Sequence, residues 1–264
     1  MSKRWTILLL LCLMLFAGGL SAQTLLQQAD QFYEQRGAGF NQSKLLADSS
    51  QINKAIQLYQ QVLASATGAE KEEATWKLIR AYYFKGKYTT YDSERRKKIY
   101  DLGKALGEKG LKEFPDSPGI NLFSAIVWGV WGEEYGILKA AKEGVAGKIK
   151  ELCEKTIAVD PNFDEAGGYR VLGRVYFKAP KIPLVLGWPS KKKAVEILQK
   201  GLELAPRNLT TRQFLAEALY SQDQKERAKE MMKAILAETE VLEGIAEDAV
   251  IKSEVKATLK EWEK

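Results

Sequence analysis

Three stretches of this 264-residue chain end in the same way: Leu111-Lys112-Glu113-Phe114-Pro115-Asp116, Ile157-Ala158-Val159-Asp160-Pro161-Asn162 and Leu202-Glu203-Leu204-Ala205-Pro206-Arg207 each run into a proline and a polar turn residue. Proline lacks an N–H and clashes with the preceding turn, so each stretch reads as a helix end. All seven prolines lie between Pro115 and Pro206, and the segments around them carry apolar residues at helical spacing. From Lys54 to Leu63 these are Ala55, Ile56, Leu58, Tyr59, Val62 and Leu63; from Ala194 to Leu204 they are Ala194, Val195, Ile197, Leu198, Leu202 and Leu204. Each set forms one stripe along a helix, and no stretch alternates as a half-buried strand does. Helices that stop repeatedly, with no sheet to cover them, bury their stripes only against one another, which predicts stacked helix pairs.

The residues inside the pairs sharpen this. After Pro206 come Leu215-Ala216, then Tyr220, then Ala228; before it come Leu172-Gly173, Tyr176 and Ala194; earlier stand Trp76, Ile79, Tyr83 and Gly86, with Arg80 in a place where a small residue is expected. This pattern of a large and a small residue side by side, an aromatic one turn on and a small residue opening the next helix resembles the tetratricopeptide repeat. The small residues let the helix axes approach closely. The resemblance implies an all-α, right-handed solenoid over residues 23–240, with enlarged loops inside the repeats, including the one before the helix that ends at Pro115. Ala55, Tyr59 and Leu63 read as the second helix of a first, partial repeat. Residues 241–264 read as a capping helix whose Val241, Leu242, Ile245, Val250, Ile251, Val255, Leu259 and Trp262 cover the last repeat. Glu73 to Tyr82 and Ala158 to Asn162 are also similar to two groups with long intra-repeat connections. These are the periplasmic helical component of TRAP-type transporters and the helical domain of the microtubule-dynamics regulators.

Residues 1–22 have the three parts of a secretory signal: Lys3 and Arg4, the apolar run Ile7 to Phe16, and small residues up to Ala22. Export to a bacterial periplasm is the expected location, with no membrane-spanning segment in the mature chain. The net charge is +6, of which Lys3 and Arg4 supply two, leaving +4 without the leader. Acidic and basic residues interleave, which is the pattern of solvated helix faces and not of a nucleic-acid footprint. There is no histidine, and Cys153 is the single cysteine beyond the leader. The commonest general base and zinc ligand are therefore missing, and neither a disulfide nor a thiolate metal site can form within the mature chain. No cofactor is expected, and the chain reads as a binding protein instead of an enzyme. Two alternatives stay open: a carboxylate-dependent hydrolase of the cell envelope, and a structural subunit of an oligomer.

In tetratricopeptide solenoids the first helix of each pair lines the concave side. The resemblance therefore implies inward positions at Lys77, Ala81 and Phe84, at Arg170, Arg174 and Phe177, and at Gln213, Glu217 and Tyr220. Arg170 and Arg174 are four apart and point the same way, which suits a small carboxylate ligand or an acidic chain terminus. Asp164, Glu165 or Glu217 could equally neutralise them. The apolar segment Leu184-Val185-Leu186-Gly187-Trp188 reads as a rim or lid over the groove, or as padding. Trp128, Trp131 and Tyr135 read as core or as a stacking wall. Gly103, Gly107, Gly110 and Gly129, Gly132, Gly136 recur at three- or four-residue spacing, which suits close helix packing. The expected partner is a protein or peptide in the groove, with a periplasmic substrate-binding protein as the narrower form.

Overall fold

A computed structural model describes residues 24–180 and 186–264, so the leader read in residues 1–22 and Leu184-Val185 of the inserted segment lie outside the described residues. Twelve helices are described: α1 (24–34), α2 (Ser50–Ser65), α3 (Gly68–Tyr88), α4 (Ser93–Glu113), α5 (Pro118–Tyr135), α6 (Ile137–Lys142), α7 (Val145–Val159), α8 (Phe163–Lys178), α9 (Lys191–Leu204), α10 (Leu209–Tyr220), α11 (Lys225–Ala237) and α12 (Ile245–Trp262). The single β feature among the described residues is an isolated bridge between Asn41 and Leu46. The chain is an all-α tetratricopeptide-type solenoid whose pairs are α1/α2, α3/α4, α5/α7, α8/α9 and α10/α11.

The proline-rich turns work as helix starts as well as stops. Ser117 precedes Pro118 at the first turn of α5, and its Oγ accepts from the Ile120 N–H. Asp92, Ser190 and Asn208 cap α4, α9 and α10 in the same way. The α10 cap carries most, because Asn208 is buried: its Oδ1 accepts from the Thr211 N–H and Oγ1, both at 2.8 Å, and its Nδ2 donates to Glu165 at 2.7 Å. Asn208→Ala is expected to cost about 2 kcal/mol in denaturant unfolding, the upper end of the cap range, whereas Ser190→Ala at an exposed cap costs about 0.5 kcal/mol.

Two expectations about the repeats change. The first pair is complete, because α1 supplies a first helix and residues 35–49 its long connection. The α3/α4 pair has no enlarged loop: the extra residues lengthen both helices to 21 residues, leaving only residues 89–92 between them. Elsewhere the enlarged connections are real. The one between α5 and α7 contains α6, and the one between α8 and α9 holds the inserted segment.

The glycines of α4 do sit on one close-packed face. An added Cβ at Gly103 would meet Val127, at Gly107 Ser124, and at Gly110 Thr75 and Ile120. Gly132 of α5 faces Ala140 and Val145, while Gly136 ends the helix at φ +87°, a backbone conformation that favours glycine.

The last helix does more than cap. Ile251, Val255, Leu259 and Trp262 cover α10 and α11, but Ala246 and Val250 pack into the core built by α1, α2 and α3. α12 thus joins the last repeat to the first. Arg36, just after α1, donates to Glu247 Oε1 at 2.7 Å and to the Glu243 carbonyl at 2.8 Å. Asp248 turns back to accept from the N–H groups of Leu242, Glu243 and Gly244, which fixes the approach of the chain to α12.

Candidate functional site

Closing the solenoid turns its concave face into the wall of a cavity of about 1370 Å³. The first helices of the pairs, α1, α3, α5, α8 and α10, line it together with α6, α7 and α12. Its volume exceeds the ~300–1,000 Å³ of ordinary small-molecule pockets. Apolar side chains on the lining include Val130 of α5, Ala141 of α6, Ala146 and Ile149 of α7, Val171 and Val175 of α8, and Leu186 of the inserted segment. Charged side chains are interspersed among these and on α1, α3, α10 and α12, with nine carboxylates and seven basic side chains on the lining as a whole.

Most of those charges serve one another. Lys77 bonds Asp30 at 2.6 Å, Arg170 bonds Asp164 at 2.7 Å, Arg174 bonds Glu217 at 2.6 Å and Arg36 bonds Glu247 at 2.7 Å. Lys178 reaches Glu217 at 3.6 Å and Lys87 reaches Glu254 at 3.5 Å. Burial lifts Glu243 and Glu247 above the ordinary carboxylate value, against the pull of Arg170 and Arg36 respectively. Glu243 accepts from the Thr210 N–H and Oγ1, both at 2.6 Å, so both raised acids tie α12 to its neighbours.

At the start of α8, Asp164, Glu165 and Ala166 all have φ near +50°, a left-handed backbone that costs non-glycine residues roughly 1–2 kcal/mol each. Arg170 holds this turn: its guanidinium bonds the carbonyls of Asp164 and Glu165 at 3.2 Å as well as the Asp164 carboxylate. The structure therefore takes the neutralising alternative for both arginines, and neither is the open carboxylate grip that their spacing suggests.

Of the expected inward residues, Lys77, Arg170, Arg174, Gln213 and Glu217 do line the cavity, and Gln213 Nε2 donates to Glu254 at 3.0 Å. The other four do not. Phe84 is buried in the core between α1, α2 and α3, as is Ala81. Phe177 joins the core of α9 to α12. Tyr220 stacks on Trp262 with centroids 3.9 Å apart. Trp188 packs edge-on against Tyr176 at 4.7 Å, so it pads α8 and is no lid over the cavity. Trp128 and Trp131 are core, with Trp131 Nε1 and the Tyr135 hydroxyl both donating to Asp101.

The residue that the spacing missed is Arg80. It stands on the lining face of α3 one turn beyond Trp76 and Lys77. Its guanidinium lies 3.9 Å from the Tyr33 ring centroid, 4.9 Å from that of Trp76 and 5.8 Å from that of Phe123. The signal was its oddity: a large cation in a small-residue position.

Comparison with known proteins places these features. A model of the regulator of microtubule dynamics protein 1-3 family matches residues 25–185, and a tetratricopeptide repeat model matches residues 192–240. Regulator of microtubule dynamics protein 3 of Rattus norvegicus is 30% identical over 181 residues, covering 68% of this chain and 33% of that protein. Its counterpart in Mus musculus is 30% identical over 133 residues, covering 50% and 26%. The chain therefore spans a third or less of the length of those curated relatives. Among solved structures, a thermophilic tetratricopeptide protein of Thermus thermophilus superposes with a TM-score of 0.60 at 17% identity, covering 90% of this chain and 98% of that one.

Proposed function

The chain belongs to the regulator of microtubule dynamics protein 1-3 family, and from that premise we propose that it is a binding protein whose closed ring takes one small, elongated molecule into its interior. Tetratricopeptide folds are scaffolds for protein interaction, and a partner protein remains part of the reading. The observation that separates this chain from an open scaffold is α12. The concave face that would receive a peptide is bridged by the chain's own helix, leaving a partly open cavity lined by both apolar and charged side chains. A molecule with an apolar body and a polar end matches that mixed lining. The partner then reads the outside of the ring. The leader in residues 1–22 supports a periplasmic location. A transport accessory that docks a substrate-binding protein and contacts a small organic acid is the narrower form of the same proposal. The relatives' printed name concerns microtubules, and a chain exported by such a leader would not meet them.

The cavity is tested with the neutral dye N-phenyl-1-naphthylamine. Saturable one-to-one binding is expected for the native chain, with affinity reduced about tenfold by Val171→Trp, which puts an indole into the cavity and displaces about 1–3 kcal/mol of dye contacts. Dye binding that does not saturate, or that Val171→Trp leaves unchanged, would overturn the cavity reading. Crosslinking mass spectrometry on envelope extracts tests the outer partner, and recovery of no transporter component would remove the narrower form.

A further inference from the structure

Of the seven basic side chains on the cavity lining, six have the carboxylate partners described above, and Arg80 has none among the described residues. Its Nε–H is buried without an acceptor, a state that costs on the order of 1–3 kcal/mol. Asp30, on the neighbouring α1, cannot supply one: its Oδ1 accepts from the Tyr59 hydroxyl at 2.7 Å and its Oδ2 from Lys77 at 2.6 Å. The rings of Tyr33 and Trp76 cover the guanidinium, and its donors lie in its edge. An arginine held this way is preorganised for a planar acceptor with two oxygens.

We propose that Arg80 anchors a single carboxylate group of the molecule held in the cavity. This rests on the cavity being a small-ligand site and adds the chemical class of ligand. The two terminal nitrogens can donate two parallel N–H···O bonds to one carboxylate, while the sealed Nε–H stays without an acceptor. The count of charges sets the limit at one. The lining carries nine carboxylates against seven cations, so a monoanion meets the one unmatched guanidinium, while a second negative charge finds no partner. The apolar side chains of the lining then receive the remainder of the molecule.

The test uses four eight-carbon probes, octanoate, 1-octanol, octylammonium and octyl phosphate, in calorimetric titrations of the full chain near pH 7.5. Octanoate is expected to bind about tenfold tighter than the other three, as one charge-assisted interaction predicts. Arg80→Gln should lower octanoate affinity by about that factor and leave octanol unchanged; Arg80→Lys should fall between. The octanoate-to-octanol ratio is read within each protein, so a general loss of stability in a variant does not imitate the effect. Octanol binding the native chain as well as octanoate, or Arg80→Gln keeping the native ratio, would overturn the anchor and leave the cavity reading in place. Octyl phosphate binding tightest would overturn the carboxylate assignment. Failure of every probe would sink the cavity reading together with the anchor.

Discussion

Replacing Arg36 with alanine is expected to destabilise the protein by about 3 kcal/mol at pH 7.5 and to open the ring, because it strands a buried carboxylate. Arg36 and Glu247 are only 17% and 12% exposed in their side chains, so neither charge is well hydrated once its partner is gone. Glu247 Oε2 already lacks a hydrogen-bond partner, and the substitution removes the one that Oε1 has. It also removes the bond to the Glu243 carbonyl and the guanidinium stacked 4.6 Å over Tyr33. The pair joins residues 211 apart in sequence, and it is the main polar link between α12 and the first repeat.

The sign of the pH dependence follows from Glu247. Burial raises its folded-state pKa above the ordinary 4.5, even with Arg36 beside it. Between 4.5 and that higher value the folded state binds more protons than the unfolded one, so this group favours folding more as pH falls. Without Arg36 the shift grows, since the opposing charge is gone. The deficit of Arg36→Ala should therefore shrink between pH 7.5 and pH 5, and Glu247→Gln in the same chain should recover part of it at pH 7.5. Urea unfolding at the two pH values reads both effects. Amide exchange supplies the local signature: α1 and the first turns of α12 should lose protection together. A deficit that is flat with pH, or exchange that rises in α12 alone, would show that Arg36 and Glu247 do not act as a latch.

That latch marks a limit of what the sequence could reveal. The helix pairs were legible because their signals are local: proline and a polar turn residue after a helix end, a large and a small residue side by side inside it, and glycines three or four apart on α4. The phase of the inner face was only half legible. On α8 and α10 the positions Arg170, Arg174, Gln213 and Glu217 were right, but on α3 the stripe runs through Lys77 and Arg80 and not through Ala81 and Phe84. A first helix of a solenoid buries two faces, one on its own partner and one on the next pair. Apolar residues such as Ala81 and Phe84 then mark a core, and the groove takes what remains. Closure was not legible at all. Whether Ala246 meets the last repeat or the first depends on curvature accumulated over five pairs, and no residue encodes that alone. The same holds for Arg80, whose lack of a partner depends on Asp30 being taken by Lys77 and Tyr59.

The second large effect tests the close helix approach that those local signals imply. Gly86→Ala, a change that normally stabilises a helix interior by about 1 kcal/mol, is expected here to destabilise by about 3 kcal/mol and to lower the melting temperature by roughly 8 °C. Gly86 lies in the last turns of α3, where Tyr100 of α4 crosses it. A Cβ there would sit 2.6 Å from Tyr100 Cζ and overlap its Cε1. The ring cannot step aside, because Tyr100 is fully buried in the core that also holds Trp128 and Trp131. Relief must come from α3 and α4 moving apart, which loosens Gly103 against Tyr82 and Val127 as well. Tyr100→Leu should lessen the penalty by removing the overlapping ring edge, so the two changes together should cost less than their sum in a double-mutant cycle. Gly147→Ala on α7, with open space where its methyl would go, supplies the comparison: it should be neutral or stabilising by up to about 1 kcal/mol. Equal melting temperatures for the Gly86 and Gly147 variants would mean that α3 and α4 do not approach this closely, and the tetratricopeptide geometry of the pair would fail with it.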